Sequence, residues 1–159
     1  MIFFSRAHER VLRKFLVCDV DFVLIGGHAA IYHGVQRTTG DLDILVRPTI
    51  ENGSRIITAC RLLGLDVNGL LPEDFTKEQL FTFGFQPASV DILNFSKGLP
   101  INDIFNKAIV TKLDKLKIKI IDIRNLLKNK QSIKRSGEKN LVDQQDILAL
   151  KRILRLKND

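Results

Sequence analysis

An α+β fold, a modest mixed β-sheet with helices packed on it and more helix at the C-terminal end, is predicted by three features of this chain. Short apolar runs of strand length end in turn residues, as where 21–25 meets Gly26-Gly27. Polar and apolar residues alternate over 41–46 and 116–121, the period of a strand with two unlike faces. Segments of helical period lie before, between and after these strands.

Taken in order, Val11, Leu12, Phe15 and Leu16 recur at helical spacing and predict an amphipathic helix over 5–18. A buried strand and a sharp turn follow at 21–27, then a short helix over 28–33 that Gly34 stops. The strand at 41–46 ends before Pro48. Residues 50–63 read as a helix turning Ile56, Ile57, Ala59, Cys60 and Leu63 to the core, with Gly64 as its stop. The pattern next predicts a helical turn at 76–81 entered at Thr76. Strands at 81–85 and 89–93 follow, joined around Gln86, Pro87 and Ala88. A short helix over 102–109 capped by Asn102 precedes the strand at 116–121. Helices at 122–131 and 141–157, broken at Ser136-Gly137, complete the chain. We read residues 1–159 as one domain, with a core at 20–121 and a helical part at 122–159.

Composition narrows the function classes. Hydrophobic residues at 45% and charged residues at 27% are ordinary for a globular domain able to bury its own core. Cys18 and Cys60 match no metal-ligand spacing and read as free thiols in a reducing compartment. No apolar segment reaches the roughly 18 residues of a membrane span, and charges at Arg6, Glu9 and Arg10 break any signal-like start. The expected location is cytoplasmic, with no membrane partner. The net charge of +7 favours phosphate-bearing partners, and the excess concentrates between Lys107 and Lys139. That stretch reads equally as a solvated basic face.

The chemistry concentrates between Gly26 and Asp43. Side chains two apart on a strand share a face, so Asp41 and Asp43 point together while Leu42 points away. Paired carboxylates repel, and a divalent cation with hard oxygen ligands relieves that repulsion. A solvated strand edge is the competing account. Asp91 sits among apolar neighbours in Ser89-Val-Asp-Ile-Leu93, where an unpaired buried acid is costly. If the two strands are neighbours, three acids converge into the kind of site that supports two-metal phosphoryl transfer. Among the remaining polar residues, Asp143 and Asp146 share a helix face and read as partners for a Lys or Arg. His28, His33 and Tyr32 read as packed side chains.

Gly26-Gly27, Asp41-Leu-Asp43 and Asp91 together resemble the signature of the DNA polymerase beta nucleotidyltransferase superfamily. In finer detail, Phe22 to Ala30, Gly34, Arg37-Thr38 and the acids are similar to small bacterial proteins of that group. These are the minimal nucleotidyltransferases, abortive-infection toxin-type proteins and antibiotic nucleotidyltransferases. Asp122 to Lys128 followed by Asp143-Gln-Gln-Asp146 resembles their C-terminal part, although Lys139 and Asn140 stand where many relatives carry an Arg.

The resemblance implies transfer of a nucleoside monophosphate from a nucleoside triphosphate such as ATP to a hydroxyl, with release of pyrophosphate. It implies Asp41, Asp43 and Asp91 as catalytic residues holding Mg²⁺ or Mn²⁺. It further implies nucleotide binding by Gly26, Gly27, Arg37, Thr38 and Lys128. The acceptor is left open between a small molecule, a tRNA and a protein. Also open are a toxin of a toxin–antitoxin or phage-defence pair with its antitoxin partner, a homodimer, and a non-catalytic nucleotide-binding scaffold.

Overall fold

The computed structural model describes residues 2–84 and 88–158. Helix α1 (Arg6–Val17) is capped by Ser5, whose hydroxyl accepts the His8 N–H at 3.2 Å. Strand β1 (Phe22–Ile25) is buried along its whole length and runs directly into α2 (Gly26–Tyr32). The expected free-standing turn at Gly26-Gly27 is therefore the first turn of a helix. Strand β2 (Leu42–Val46) leads to α3 (Ile50–Leu62), capped by the Thr49 hydroxyl on the Asn52 N–H. The predicted core-facing residues of α3 hold: Ile56, Ile57, Ala59 and Cys60 are buried and Leu63 packs against the core.

The middle departs from the sequence pattern. The helical turn expected at 76–81 lies earlier, as a 3₁₀ helix at Pro72–Thr76 that Thr76 ends. Proline near its start and the Asp74 carboxylate accepting the Leu71 N–H (2.8 Å) set that position. Strand β3 (Leu80–Phe83) follows, and β4 is Val90–Leu93. The predicted end of the first strand at Phe85, with Gln86 and Pro87 of the connection, lies outside the described residues. Helix α4 (Ile101–Lys107) starts after Pro100 and not at a cap on Asn102, whose Oδ1 instead accepts from Arg47 Nη1 at 3.3 Å.

Ile109, expected at the end of that helix, begins a strand that the pattern missed, β5 (Ile109–Leu113). It pairs with β6 (Leu116–Ile120) through Asp114 and Lys115, which take φ of 48° and 67°, the geometry of a two-residue hairpin turn. Helix α5 (Ile123–Ser132) is capped by Asp122, and α6 (Gly137–Lys157) begins four residues before its predicted start.

The six strands form one mixed sheet in the order β3-β4-β2-β1-β6-β5. Strand β2 pairs antiparallel with β1 and parallel with β4. Helix α1 packs on α3, and α5 packs on both α2 and α6. Leu12, Phe15, Leu24, Leu42, Ile44, Ile92, Ile56, Leu126 and Leu150 are among the side chains sealed in the core. Cys60 is buried and Cys18 half-buried, both as free thiols. Among the described residues no helix is long and apolar enough to cross a membrane.

One buried side chain ties the edges of this core together. Asn52, 2% exposed, accepts the Asp21 N–H (2.7 Å) and donates to the carbonyls of Asp21 (2.9 Å) and Arg47 (3.0 Å). It thus links the entry to β1, the exit from β2 and the start of α3. Asn52→Ala removes three hydrogen bonds and leaves the Asp21 N–H without its acceptor, while the Asp21 and Arg47 carbonyls keep the N–H groups of Arg47 (3.2 Å) and Thr49 (3.0 Å), at a total cost of about 3 kcal/mol. For a domain of this size the thermal midpoint should fall by roughly 6–12 °C. A calorimetric drop below 2 °C would contradict the role given to Asn52.

Candidate active site

The site is set by strand register. Asp43 faces Ile25 on β1, the residue before Gly26, and faces Asp91 on β4. Three elements therefore meet at one point: the end of β1, and the early residues of β2 and β4. Asp41 lies just before β2, and its Oδ1 accepts from the Ser89 N–H and the Ser89 hydroxyl, each at 3.0 Å. Asp91 Oδ1 accepts from the Thr82 hydroxyl on β3 at 2.8 Å.

The glycines are fixed by the same packing. Gly26 has φ of 69°, a conformation that side-chain-bearing residues rarely adopt, and a Cβ there would overlap Asp43 Oδ2. At Gly27 a Cβ would overlap Thr39 Oγ1 and sit 2.9 Å from Arg37 Nη2. Backbone thus lies directly against the carboxylate of Asp43 on one side and the guanidinium of Arg37 on the other.

Asp43 is held well above the usual carboxylate range, at about 7. Burial is the leading cause, followed by repulsion from Asp91 and, more weakly, from Asp41, while the Lys130 ammonium pulls the other way. The donor set of Asp43 and Asp91 in register, with Asp41 two residues along the chain, has the hard-oxygen chemistry that suits Mg²⁺ or Mn²⁺. As arranged, Asp41 is turned to Ser89, and among the described residues no three His, Cys, Asp or Glu side chains are gathered closely enough to hold a metal.

Of the other expected nucleotide contacts, Arg37 is anchored. Its Nε donates to Asp146 Oδ1 (2.9 Å), its Nη2 to Asp146 Oδ2 (3.1 Å) and its Nη1 to the Thr38 carbonyl (2.9 Å). Thr38 is exposed, and it is Thr39 that lies against Gly27. Lys128 is exposed on α5. Two residues on, Lys130 is 4% exposed, with Nζ 3.2 Å from Asp143 and 2.9 Å from Asp146.

Asp143 in turn takes Arg135 Nε at 2.7 Å and a second contact from Nη2. Burial works to raise Asp143, but Arg135 and Lys130 outweigh it and hold the carboxyl below its ordinary value. The expectation that Asp143 and Asp146 partner basic side chains is thus met by three of them. Sequence reasoning did not single out Lys130, Arg135, Ser89 or Thr39. The only signal for the cations was the density of Lys and Arg around them.

The histidines pack as expected. His33 Nε2 meets the Ile121 carbonyl at 2.7 Å. The His28 ring sits 5.3 Å from Phe4 and 5.7 Å from His8, and burial first, then His8, drives it down to about 4. It is a neutral ring in the folded protein.

No protein-family model matches the chain, and no curated protein matches it in sequence. Solved structures do. A Thermotoga maritima protein described as a candidate nucleotidyltransferase superposes with a TM-score of 0.56 at 13% identity, over 96% of this chain and 88% of that one. A lincosamide antibiotic adenylyltransferase, LnuA, solved with lincomycin bound, superposes with a TM-score of 0.55 at 17% identity, over 94% of this chain and 98% of that one. The mixed sheet with its C-terminal helices is a nucleotidyltransferase-like fold.

The raised Asp43 carboxyl makes a pH prediction for the metal-free protein. An unfolded aspartate ionises near 3.8, whereas Asp43 in the fold holds its proton to about 7. Its contribution to stability is therefore complete below pH 4 and is lost as pH rises through 7, by up to about 4 kcal/mol. In EDTA, Asp43→Asn should melt progressively higher than the parent chain as pH goes from 5 to 8. A difference in midpoint that stays constant across that range would rule this out.

Proposed function

We propose that this chain is a metal-dependent nucleotidyltransferase that moves a nucleoside monophosphate from a nucleoside triphosphate to a hydroxyl and releases pyrophosphate. The observation that carries the reading is the register pairing of Asp43 with Asp91, beside a backbone approach at Gly26 that no side chain could share. Such a corner offers carboxylate oxygens for cations directly against a glycine backbone whose side-chain space Asp43 already fills. The nucleotidyltransferase-like fold supports the same reading.

In this proposal Asp43 and Asp91 hold Mg²⁺ or Mn²⁺, and Asp41 joins them by releasing Ser89. Cations held there would neutralise the phosphates and the charge that develops as the nucleoside monophosphate is transferred. Asp91 orients the acceptor hydroxyl and takes its proton as the oxygen bonds to the α-phosphorus. The bond from that phosphorus to the bridging oxygen breaks, and pyrophosphate departs. Gly26 and Gly27 admit the polyphosphate close to the backbone. Arg37, kept rigid by Asp146, presents its guanidinium edge beside Gly27. Thr38 and Lys128 are the outer, solvent-side contacts of the same path. We take the whole chain as one functional unit. The likeness to LnuA over nearly the full length of that protein speaks for ATP as donor and a small-molecule hydroxyl as acceptor.

Two outcomes are expected. In an assay with each labelled nucleoside triphosphate against hydroxyl-bearing small molecules, tRNA and protein, transfer should require Mg²⁺ or Mn²⁺, and Asp43→Ala should reduce it at least a thousandfold while the chain stays folded. Turnover that survives Asp43→Ala would sink the assignment. Separately, millimolar Mg²⁺ with nucleotide at one hundred times its dissociation constant should stabilise the fold by about 2.7 kcal/mol. A melting curve unmoved by that mixture would favour a chain that binds neither.

A further inference from the structure

The inner face of α6 is spent on the fold, with Asp143, Asp146, Ile147 and Leu150 buried. Its outer face still carries large apolar side chains: Leu141, Leu148 and Leu156 are 62%, 69% and 67% exposed. Leu141, Gln145, Leu148, Arg152 and Leu156 follow one another at steps of four, three, four and four residues. At 3.6 residues per turn they fall on one stripe about 22 Å long, with the spacing of a helix–helix seam. Gln145, Arg152 and Leu156 also line a cavity of about 510 Å³, across from Val35 and Gln36 in the loop after α2. A ridge of leucines thus stands beside a hollow on one surface, the kind of relief that marks an interaction site and not a scatter of single exposed residues.

The order of residue types says what fits it. Read from one end the stripe is Leu-Gln-Leu-Arg-Leu, and from the other Leu-Arg-Leu-Gln-Leu. Laid antiparallel on a copy of itself, about a two-fold axis beside Leu148, it sets Leu141 against Leu156 and brings the two copies of Leu148 together. The same register sets the Gln145 carboxamide against the Arg152 guanidinium, an acceptor against a donor, twice. A parallel pairing would place Arg152 on Arg152. The flanks agree, since Lys151, Arg155 and Lys157 crowd the C-terminal half of α6, whereas the N-terminal half has Glu138 and Gln144 with Lys139 as its one cation. Antiparallel contact therefore keeps the two basic halves apart. Lipid is the other surface that takes leucine and basic residues together, but a helix lying on a bilayer keeps its cations at the margins of the apolar face. Here Gln145 and Arg152 interrupt its middle.

We propose that the outer face of α6 is a homodimer seam, on which a second copy of this chain docks antiparallel with its Leu141 entering the cavity beside Leu156. The interface is isologous, the same patch serving both copies, so it closes at two and builds no filament. It stands on the surface of α6 alone and does not depend on the nucleotidyltransferase reading.

Sedimentation velocity on the full chain tests this, with the parent, Leu148→Glu, Gln145→Arg, the double variant Gln145→Arg/Arg152→Gln and, as a control, Leu62→Glu on α3, which alters another exposed leucine. The parent should be dimeric at about 10 µM. Leu148→Glu sets two carboxylates together at the axis and should weaken association about a hundredfold or more, with the circular dichroism spectrum unchanged. Gln145→Arg opposes arginine to arginine and should weaken it about tenfold, and adding Arg152→Gln exchanges the pair and should restore it. Leu62→Glu should dimerise as the parent does. The inference is overturned if the parent is still a monomer at about 100 µM. It is equally overturned if Leu148→Glu dimerises like the parent, or if Arg152→Gln fails to rescue Gln145→Arg. Should Leu148→Glu unfold, the rescue pair decides. Flotation with vesicles of phosphatidylcholine and phosphatidylserine covers the lipid alternative: a monomeric parent that floats with them, and no longer does so as Leu148→Glu, overturns the inference in favour of a membrane face.

Discussion

The contact between the Gly26 backbone and the carboxylate of Asp43 is where the fold and the site become one thing. It exists because β2 is paired on both sides, antiparallel to β1 and parallel to β4, so that Ile25, Asp43 and Asp91 fall in one line across three strands. Side-chain direction in a strand has a period of two, so a one-residue slip in either pairing would swing Asp43 out of that line and push Leu42 or Ile44 out of the core. Burial of those two side chains, both fully enclosed, therefore enforces the geometry of the acids. The hydrophobic effect, which has no directional preference of its own, becomes directional through the pleat.

The carboxylates themselves work against stability. Asp43 is desolvated and sits among like charges, a state that costs free energy unless a proton or a cation offsets it. The chain tolerates this because the strain is local and the surrounding sheet over-determines the position. The ion-paired row of Arg135, Asp143, Lys130, Asp146 and Arg37 has the same character on a larger scale. Each buried carboxylate there has two cationic partners, which is the arrangement that makes buried charge sustainable. It also fastens α6 to α5 and to the loop after α2, so the long C-terminal helix is fixed by electrostatics as well as by Ile147 and Leu150.

How much of this could be read from residues alone depended on whether the signal was local. Strands β1, β2 and β4 and helices α1 and α3 were legible because burial imprints a period on the sequence. The placement of Asp41, Asp43 and Asp91 on neighbouring strands needed the resemblance, since spacing does not determine adjacency. Strand β5 was missed because it lies at the sheet edge with neither face buried, so Ile109-Val110-Thr111-Lys112-Leu113 shows no alternation. The early start of α6 was missed because Glu138, Lys139 and Asn140 are polar and its first turn carries no side-chain cap. That Lys130 and not Lys128 is the enclosed lysine was out of reach for a different reason. Residues two apart on a helix point to nearly opposite sides, and only the packing of α5 on α6 decides which side is inside.

The shared partners of Asp143 and Asp146 constrain how this protein can diverge. Because Lys130 serves both acids, replacing any one member of the row strands a charge that its neighbours had neutralised, and the effects of two replacements will not add. Viable sequence change must then pass through paired, compensating substitutions, or proceed by discarding the entire set for apolar residues at once. Homologues should accordingly fall into discrete groups at these five positions, with few intermediates, while the basic surface around them drifts freely.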